Sequence, residues 1–460
     1  MPQLTQNTIA ENIAQAEGLI ITEEFARALD LIESGSSVFI HGKPGTGKSC
    51  FISFLRERLY NHGIAVLAPT GLAALNSKGQ TIHSFLSLSI YKIYRTKNLR
   101  KQEKVALRKR LENITTLVVD EVSMVRADLF DEMDKKLRDI LEVNRPFAGL
   151  QLVLIGDMYQ LPPVVKPTKF FDDTAEKDTL FMDTYGENKS FIFHSKAYKE
   201  LDLKHIEFTH NFRQDDADFI KHLDIIRSNK DEILPEALGY FNACAAVLPT
   251  NITWLTATNA AADAINMQKL RALNGREYLV NAIIQASPVQ KRPDNWQDCP
   301  QNPLKLKEGA FVMFVKNDEG KERRWVNGTT GIIKEISAGQ DGQVQHIIVQ
   351  TDNGEYMVER HTWYKLRLTT DGEQVEDPER TYSQFPLRLA WAVTIHKAQG
   401  LTLEKAVIDL GAEAFAQGQV YVALSRLRSK KGLYLARPIN KSDIKVSAQV
   451  SDFLTAALKK

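Results

Sequence analysis

The sequence predicts an α/β protein organised on mainly parallel, doubly wound sheets, and three observations carry that expectation. A glycine-rich segment, Gly42-Lys43-Pro44-Gly45-Thr46-Gly47-Lys48-Ser49, lies between a short apolar run and a helical pattern. Two later apolar runs end in polar residues, at Asp120-Glu121 and at Gly156-Asp157-Met158-Tyr159-Gln160. Strand-like and helix-like periods alternate between them. That is the pattern of βαβ units, with ligand-bearing loops at the carboxyl ends of the strands.

In chain order, residues 22–35 read as a helix: Phe25, Ala28, Leu29 and Ile32 recur at i, i+3, i+4 and i+7, and Gly35 stops it. Residues 37–41 form a strand, and a helix follows the glycine-rich loop over about 48–62. Further strands are expected at 64–68, 116–119 and 151–155. Between the strands at 64–68 and 116–119, residues 95–110 hold eight Lys/Arg against one Glu. The run fits either a solvated helix face or a basic excursion that touches nucleic-acid backbone. Residues 170–190 are acidic and polar, as in a surface loop. A second region begins near Ser195, with a helical pattern over 211–228 and a strand at 252–257 followed by a helix to Leu273. From 307 to about 368, strand-like runs at 311–315, 331–336 and 344–349 are broken by Gly, Asn and Asp, which reads as a small all-β insertion. The α/β pattern resumes at 387–393 and 406–410.

At 460 residues the chain exceeds one ordinary core, and roughly two to four domains are expected. Hydrophobic content of 43% and charged content of 25% are those of an ordinary globular protein. A net charge of +2 does not argue against nucleic acid, because a local basic groove suffices. Cys50, Cys244 and Cys299 show no metal-ligand spacing and suggest reduced thiols in an intracellular setting. The first 18 residues lack a secretory pattern, and no apolar run is long enough to span a bilayer.

The chemistry follows from residue type and order. The segment from Gly42 matches GxxxxGK[ST], whose backbone N–H groups wrap nucleotide phosphates at a helix N-terminus. Lys48 is placed to neutralise the β/γ-phosphates and the Ser49 hydroxyl to ligate Mg²⁺. Asp120, at the tip of a buried strand, can hold Mg²⁺ through water, and Glu121 can deprotonate the attacking water; the alternative is an acidic pair capping a helix near Arg126. Gln160 can sense the γ-phosphate. Arg213 and Arg426 are the candidates to stabilise charge developing on the transferred phosphoryl group, or else are surface arginines. A guanine-specific switch would need Asn-Lys-x-Asp; Asn229-Lys230-Asp231-Glu232 fails at its fourth place. A plain single-strand binder does not require the Asp120-Glu121 pair.

Seven segments taken together resemble the superfamily 1 helicases of the Pif family, with RecD-like and Dda-like helicases next. They are GKPGTGKS, APTGLAALNSKGQTIHSF, DEVSM, GDMYQLPPV, NFRQ, AWAVTIHKAQG and YVALSR. The resemblance spans residues 38–428. It implies two RecA-like domains clamping ATP, a small SH3-like β insertion in the second and a short wedge in the first. The expected boundaries are 1–195 for the first domain (wedge and basic excursion about 76–113), 196–303 for the start of the second, 304–384 for the β insertion and 385–460 for the remainder. Gly42, Pro44, Gly45, Thr46, Gly47, Lys48, Ser49 and Cys50 would hold the nucleotide, with Lys48, Ser49, Asp120, Glu121 and Gln160 in the first domain and Arg213 and Arg426 in the second. Thr70, Gly71, Thr81, His83, Ser84 and Phe85 would face single-stranded DNA from the first domain, although His83 and Phe85 also suit a core. Thr258, Asn259, Thr394, His396 and Lys397 would face it from the second, the last three also suiting a buried turn. Gln399 and Gly400 would link nucleotide state to the DNA track. The implied activity is ATP- and Mg²⁺-dependent 5′-to-3′ unwinding by a monomer acting on single-stranded and tailed duplex DNA, without a membrane. The alternative is a DNA-stimulated ATPase that remodels without unwinding. One departure is visible: Phe25 stands where many members of the family carry a Gln that reads adenine.

Overall fold

The computed structural model describes residues 21–59, 63–88, 101–163, 189–214, 216–229, 231–244, 248, 252–286, 296, 299–318, 324–325, 327–340, 342–368 and 374–457. The chain divides into two compact units. The first comprises Met1–Asn229, Ala416–Gly418 and Lys445–Lys460, the second Lys230–Phe415 and Gln419–Ile444.

In the first unit, β1 (Ser37–Gly42), β2 (Ile64–Ala68), β3 (Gln80–Thr81), β4 (Thr116–Val119), β5 (Gln151–Gly156) and β6 (Leu203–Phe208) form one sheet in the order β3-β2-β4-β5-β1-β6. Every pairing is parallel. Its central strands are apolar almost throughout because both faces are covered. Val38, Ile40, Val118, Val153 and Ile155 pack with Phe25, Leu29, Phe51 and Leu55 on one face. Phe39, Leu117, Val119, Leu152 and Leu154 pack with Phe130, Met133 and Leu137 on the other. The helix Glu23–Glu33 buries Phe25, Ala28, Leu29 and Ile32, the residues its period selects, and Thr22 caps it by accepting from Phe25 N. Phe25 lies edge-on to Phe51 at 4.7 Å and Phe54 at 5.3 Å, so this position is a core residue.

The expected boundary after residue 195 falls inside the first unit. β6 pairs with β1 from Ser37↔Leu203 to Gly42↔Phe208, and the helix Ala217–Ser228 belongs to the same unit. The C-terminal helix Ala448–Ala457 places Val450 and Leu454 in the first unit's core, so 385–460 is not one continuous part of the second. An edge strand reading Leu-Lys-His-Ile-Glu-Phe suits the edge of either sheet, and only its distant partner decides which. Of the basic excursion, 89–100 lies outside the described residues. Its described part is the helix Lys101–Glu112. There Arg108 pairs with Glu112 and Glu142, and Lys104 with Asp139, as a solvated face would.

The second unit's strands in chain order are β7 (Thr253–Thr256), β8 (Tyr278–Val280), β9 (Ile283–Gln285), β10 (Leu304–Leu306), β11 (Phe311–Phe314), β12 (Thr330–Ala338) and β13 (Val344–Thr351). They continue with β14 (Gly354–Val358), β15 (His361–Leu368), β16 (Gln374–Gln384), β17 (Leu387–Leu389), β18 (Ala392–Thr394), β19 (Ala406–Asp409) and β20 (Leu433–Leu435). A parallel sheet runs β18-β7-β19-β20, while β14-β13-β12-β11-β17, β15-β16-β9 and β10-β8 are antiparallel. The β insertion is therefore wider than 304–384: β8 and β9 precede it and β17 closes it. The apolar run 387–393, where the α/β pattern was expected to resume, is divided between β17 and β18. Ala390 N donates to Phe311 O at 2.9 Å in the β module, while Trp391 O accepts from Trp254 N at 2.8 Å beside the parallel sheet. Each half enters a different core, so hydropathy shows a single run. Among the described residues no helix is long and apolar enough to cross a membrane.

Candidate active site

β1 delivers the chain into the glycine-rich loop, where Gly45 and Gly47 hold φ of +85° and +83°. The loop then enters the helix Lys48–Arg58. Thr46 Oγ1 donates to Lys43 O at 2.8 Å, and Lys48 Nζ donates to Gly42 O at 2.8 Å and Lys43 O at 2.6 Å. The loop thus curls around the lysine that a phosphate ligand would engage. Burial pulls the Lys48 pKa down to about 8, against the raising fields of Asp157, Glu121 and Asp120. Three carboxylates from two different strand ends therefore bear on one amine. Pro44 and Thr46 are buried, while Ser49 and Cys50 are exposed on the first helical turn.

Asp120 follows β4, and its N–H donates to Leu67 O at 2.8 Å. Its carboxylate accepts from Glu121 N at 2.8 Å. Burial and the Glu121 charge push its pKa up to about 7, so this half-buried carboxylate is short of positive charge. Glu121 sits in left-handed backbone, φ +49°, uncommon for a non-glycine residue. Gln160 follows β5; it is buried, its N–H donates to Asp157 O at 3.0 Å, and its Oε1 has no hydrogen-bond partner among the described residues.

Arg213 requires a correction. It was expected in the second domain, but Asn211–Gln214 is a turn of the first unit, lying directly on the glycine-rich loop. Phe212 N donates to Gly45 O at 2.8 Å, and Asn211 Oδ1 accepts from Arg213 N at 2.9 Å. The following helix is tied to the same loop by Lys43–Asp224 at 2.6 Å and to β5's end by Arg227–Asp157 at 3.1 Å. Arg426 belongs to the second unit. It is only 1% exposed and donates to Val422 O at 3.0 Å, Leu401 O at 3.4 Å and Ser425 Oγ at 2.7 Å. It is neither a surface arginine nor, in this conformation, one presented to a ligand.

The expected strand-contacting residues share a geometry. Thr70, Thr81, Thr258 and Thr394 each stand at or just past a strand's carboxyl end, and each caps the turn that follows. Their hydroxyls accept from the N–H groups of Ala73, Ser84, Ala261 and Lys397 at 3.2, 3.2, 3.2 and 3.3 Å. Gly71 opens the helix Gly71–Asn76, and Thr258, Asn259, Ser84, Lys397 and Gly400 are exposed. His83 and His396 are half-buried, and burial lowers the pKa of both. Phe85 is contradicted as a contact: at 4% exposure it sits in the first core with Arg110 stacked on its ring at 4.5 Å. Thr394 is buried too, with its hydroxyl directed to its own turn.

Sequence reasoning missed four participants. Asp157, fully buried, accepts from Tyr159 N and Arg227. Arg227 lies late in a helix whose sequence gives no sign of its target. His41 precedes the loop and is buried, with neither ring nitrogen hydrogen-bonded among the described residues. Burial, then His205 and Arg227, hold its pKa down at about 4. Phe212 is 43% exposed, and its ring comes within 3.3 Å of where a Cβ on Gly47 would lie. An aromatic between Asn and Arg in a loop was the only available signal for it.

The profile of PIF1-like helicases matches residues 20–230, and a profile described simply as helicase matches 335–460. The human ATP-dependent DNA helicase PIF1 is 32% identical over 418 residues, covering 90% of this chain. The chain spans 60% of that relative's length. The Bdellovibrio bacteriovorus ATP-dependent DNA helicase Pif1 is 31% identical over 422 residues, covering 90% of this chain and 87% of the relative. The crystal structure of Bacteroides Pif1 helicase in complex with ADP-AlF3 and ssDNA is similar at a TM-score of 0.70 and 32% identity, over 96% of this chain and 98% of that one.

Proposed function

Because the chain belongs to the PIF1-like helicase family, we propose that it is an ATP-dependent DNA helicase that tracks 5′ to 3′ along single strands and opens tailed duplexes. The observation that carries this reading is the glycine-rich loop curled around the Lys48 amine, which donates to Gly42 O and Lys43 O, with the carboxylates of Asp120, Glu121 and Asp157 at the ends of β4 and β5 in the same sheet. That arrangement suits phosphoryl transfer from a nucleotide to water.

The residues fit ATP and Mg²⁺. Asp120 is a half-buried carboxylate whose pKa is raised by desolvation and by the neighbouring Glu121 charge, which a cation would offset, and Ser49 offers an exposed hydroxyl on the adjoining turn. Mg²⁺ commonly takes one or two protein ligands and completes its shell with phosphates and water. Bound there, the ion would supply charge neutralisation at the phosphates. Lys48 exchanges loop carbonyls for phosphate oxygens. Glu121 accepts the proton of the attacking water, and Gln160, whose Oε1 is unpartnered among the described residues, orients that water. Arg213, held on the loop by Asn211, meets the developing charge from the same unit. Arg426 would add to it after releasing its contacts to Val422, Leu401 and Ser425. Gly42, Pro44, Gly45, Thr46, Gly47 and Cys50 shape the cradle.

DNA is held by the capped turns at Thr70–Gly71, Thr81–Ser84, Thr258–Asn259 and Thr394–Lys397, whose exposed groups suit phosphates and bases rather than sequence. Gly400, exposed with φ +85°, is the bend that would link such a turn to nucleotide state. Strand displacement tests the whole reading. A duplex with a 5′ single-stranded tail should open with ATP and Mg²⁺ and stay closed without hydrolysable ATP. Preferential opening of a 3′-tailed duplex refutes the polarity. DNA-stimulated hydrolysis without displacement of either substrate favours a remodelling ATPase.

A further inference from the structure

The loop that carries Gln160 is held from the far end of the chain. Tyr159 OH donates to Ser451 Oγ at 3.2 Å, and Ser451 lies in the C-terminal helix Ala448–Ala457. That helix is seated firmly. Val450 and Leu454 are buried in the first unit's core, and Phe453 stacks on Phe193 at 4.3 Å and 12° and meets Tyr198 edge-on at 5.7 Å. On its other side the Tyr159 ring carries the Arg227 guanidinium at 4.3 Å. The same arginine pairs with Asp157, which also accepts from Tyr159 N at 3.1 Å. The tripeptide Ala416–Gly418 completes the enclosure. Gly418 N donates to Lys445 O at 2.9 Å. With φ +69°, Gly418 approaches so closely that a Cβ there would lie 2.3 Å from Tyr159 O and 2.8 Å from Gln160 O.

We propose that Tyr159 is a positioning residue for Gln160, and that the C-terminal helix, through Ser451, is a working part of the ATPase site rather than a terminal cap. Gln160 has no side-chain hydrogen bond of its own at Oε1 among the described residues, so its placement depends on its backbone. That backbone is fixed by Tyr159 on one side and Gly418 on the other. Covalent connectivity gives the arrangement a second consequence. Gly418 is followed directly by Gln419, the first residue of the helix Gln419–Leu424 in the second unit, and Lys445 follows the last residue of that unit. Both restraints on the Gln160 loop are therefore covalently continuous with segments of the second unit.

The inference rests on Gln160 acting in ATP turnover, so the experiment separates the two. Steady-state hydrolysis is measured on the full chain with saturating oligo-dT and varied ATP, for Tyr159→Phe, Ser451→Ala, the double variant, Ser451→Thr and Gln160→Ala, each with a thermal melt. Tyr159→Phe keeps the ring beneath Arg227 and removes only the hydroxyl. The two single variants and the double should each lower kcat about three- to tenfold, one hydrogen bond's worth of barrier, with KM for ATP within about twofold. The double should be no worse than either single, because they remove the same interaction. Ser451→Thr, which keeps the hydroxyl, should turn over like the parent. Unchanged kcat in Tyr159→Phe and Ser451→Ala alongside a slowed Gln160→Ala overturns the positioning role. Unchanged kcat in Gln160→Ala overturns the site assignment beneath it.

Discussion

Gly35 and Gly45 share a left-handed φ of +85° but have opposite surroundings, and alanine at each separates backbone strain from site geometry. A Cβ on Gly35 meets nothing within 4 Å; one on Gly45 lies 2.6 Å from Arg213 Cβ and 2.8 Å from Asn211 Oδ1. Holding an L-residue in this region costs about 1 kcal/mol, so both variants should lose that much stability, about 2–4 °C in Tm for a unit of this size. Gly45→Ala must also part the glycine-rich loop from the Asn211–Gln214 turn. Carbon atoms rest about 3.5–4 Å apart, so the separation has to grow by roughly 1 Å. Misplacement on that scale costs on the order of a hundredfold in rate where orientation carries the catalysis. Phosphate release with oligo-dT, beside thermal melts, gives the comparison. Gly35→Ala should turn over within about twofold of the parent, while Gly45→Ala falls on the order of a hundredfold at a similar Tm. Equal turnover in the two variants would refute the claim that the turn and loop form one catalytic surface.

Three further outcomes are expected. Glu121→Gln should keep nucleotide affinity and lose turnover by about 10²–10⁴; a loss of only a few-fold, measured under saturating ATP, would return Glu121 to a capping role. Arg110→Met should raise Tm by a few degrees, roughly 1 kcal/mol, because three buried guanidinium nitrogens without a hydrogen-bond partner among the described residues are exchanged for an apolar chain over Phe85; a lowered Tm would mean that the stacking outweighs the cost of the buried charge. The pH profile of kcat/KM should be bell-shaped. Asp120, raised to about 7, must be ionised to hold Mg²⁺, and Lys48, lowered to about 8, must stay charged, so the rate falls below about pH 7 and above about pH 8, and higher Mg²⁺ should move the acid limb downward. The stability contribution of Asp120 runs the other way: its folded pKa lies above its unfolded value, so acidifying from 7 towards 4 stabilises the fold through this group. An acid limb indifferent to Mg²⁺ would detach Asp120 from the metal.

Legibility in the sequence followed how local each cause was. The helix Glu23–Glu33 and the strands β1, β4 and β5 were readable because their determinants, a 3.6 period or an unbroken apolar run ending in a polar residue, lie within a dozen residues. The glycine-rich loop was readable for the same reason, down to the lysine it enfolds. Long-range pairing was not. β9 consists of Ile283–Gln285 joined to Thr381–Ser383, about a hundred residues away, and nothing in three residues announces that partner. β17 and β18 read as one apolar run because hydropathy does not record which core a residue enters. Phe85 carries the same ambiguity, since an aromatic in a short polar turn suits a base or a core equally, and burial resolves it towards the core.

The placement of Arg213 changes how work is divided between the units. With Arg213 in the second unit, both candidate arginines would have belonged to that unit. The turn carrying Arg213 instead rests on Gly45 within the first unit, which therefore holds the phosphate cradle, the two carboxylates, Gln160 and one arginine together. What the second unit retains for phosphoryl chemistry is Arg426, buried and hydrogen-bonded to Val422, Leu401 and Ser425. A guanidinium in that state contributes little until those bonds are exchanged. Leu401 immediately follows Gly400, the residue expected to link nucleotide state to the DNA-facing Thr394, His396 and Lys397, so the carbonyl that holds Arg426 adjoins that segment.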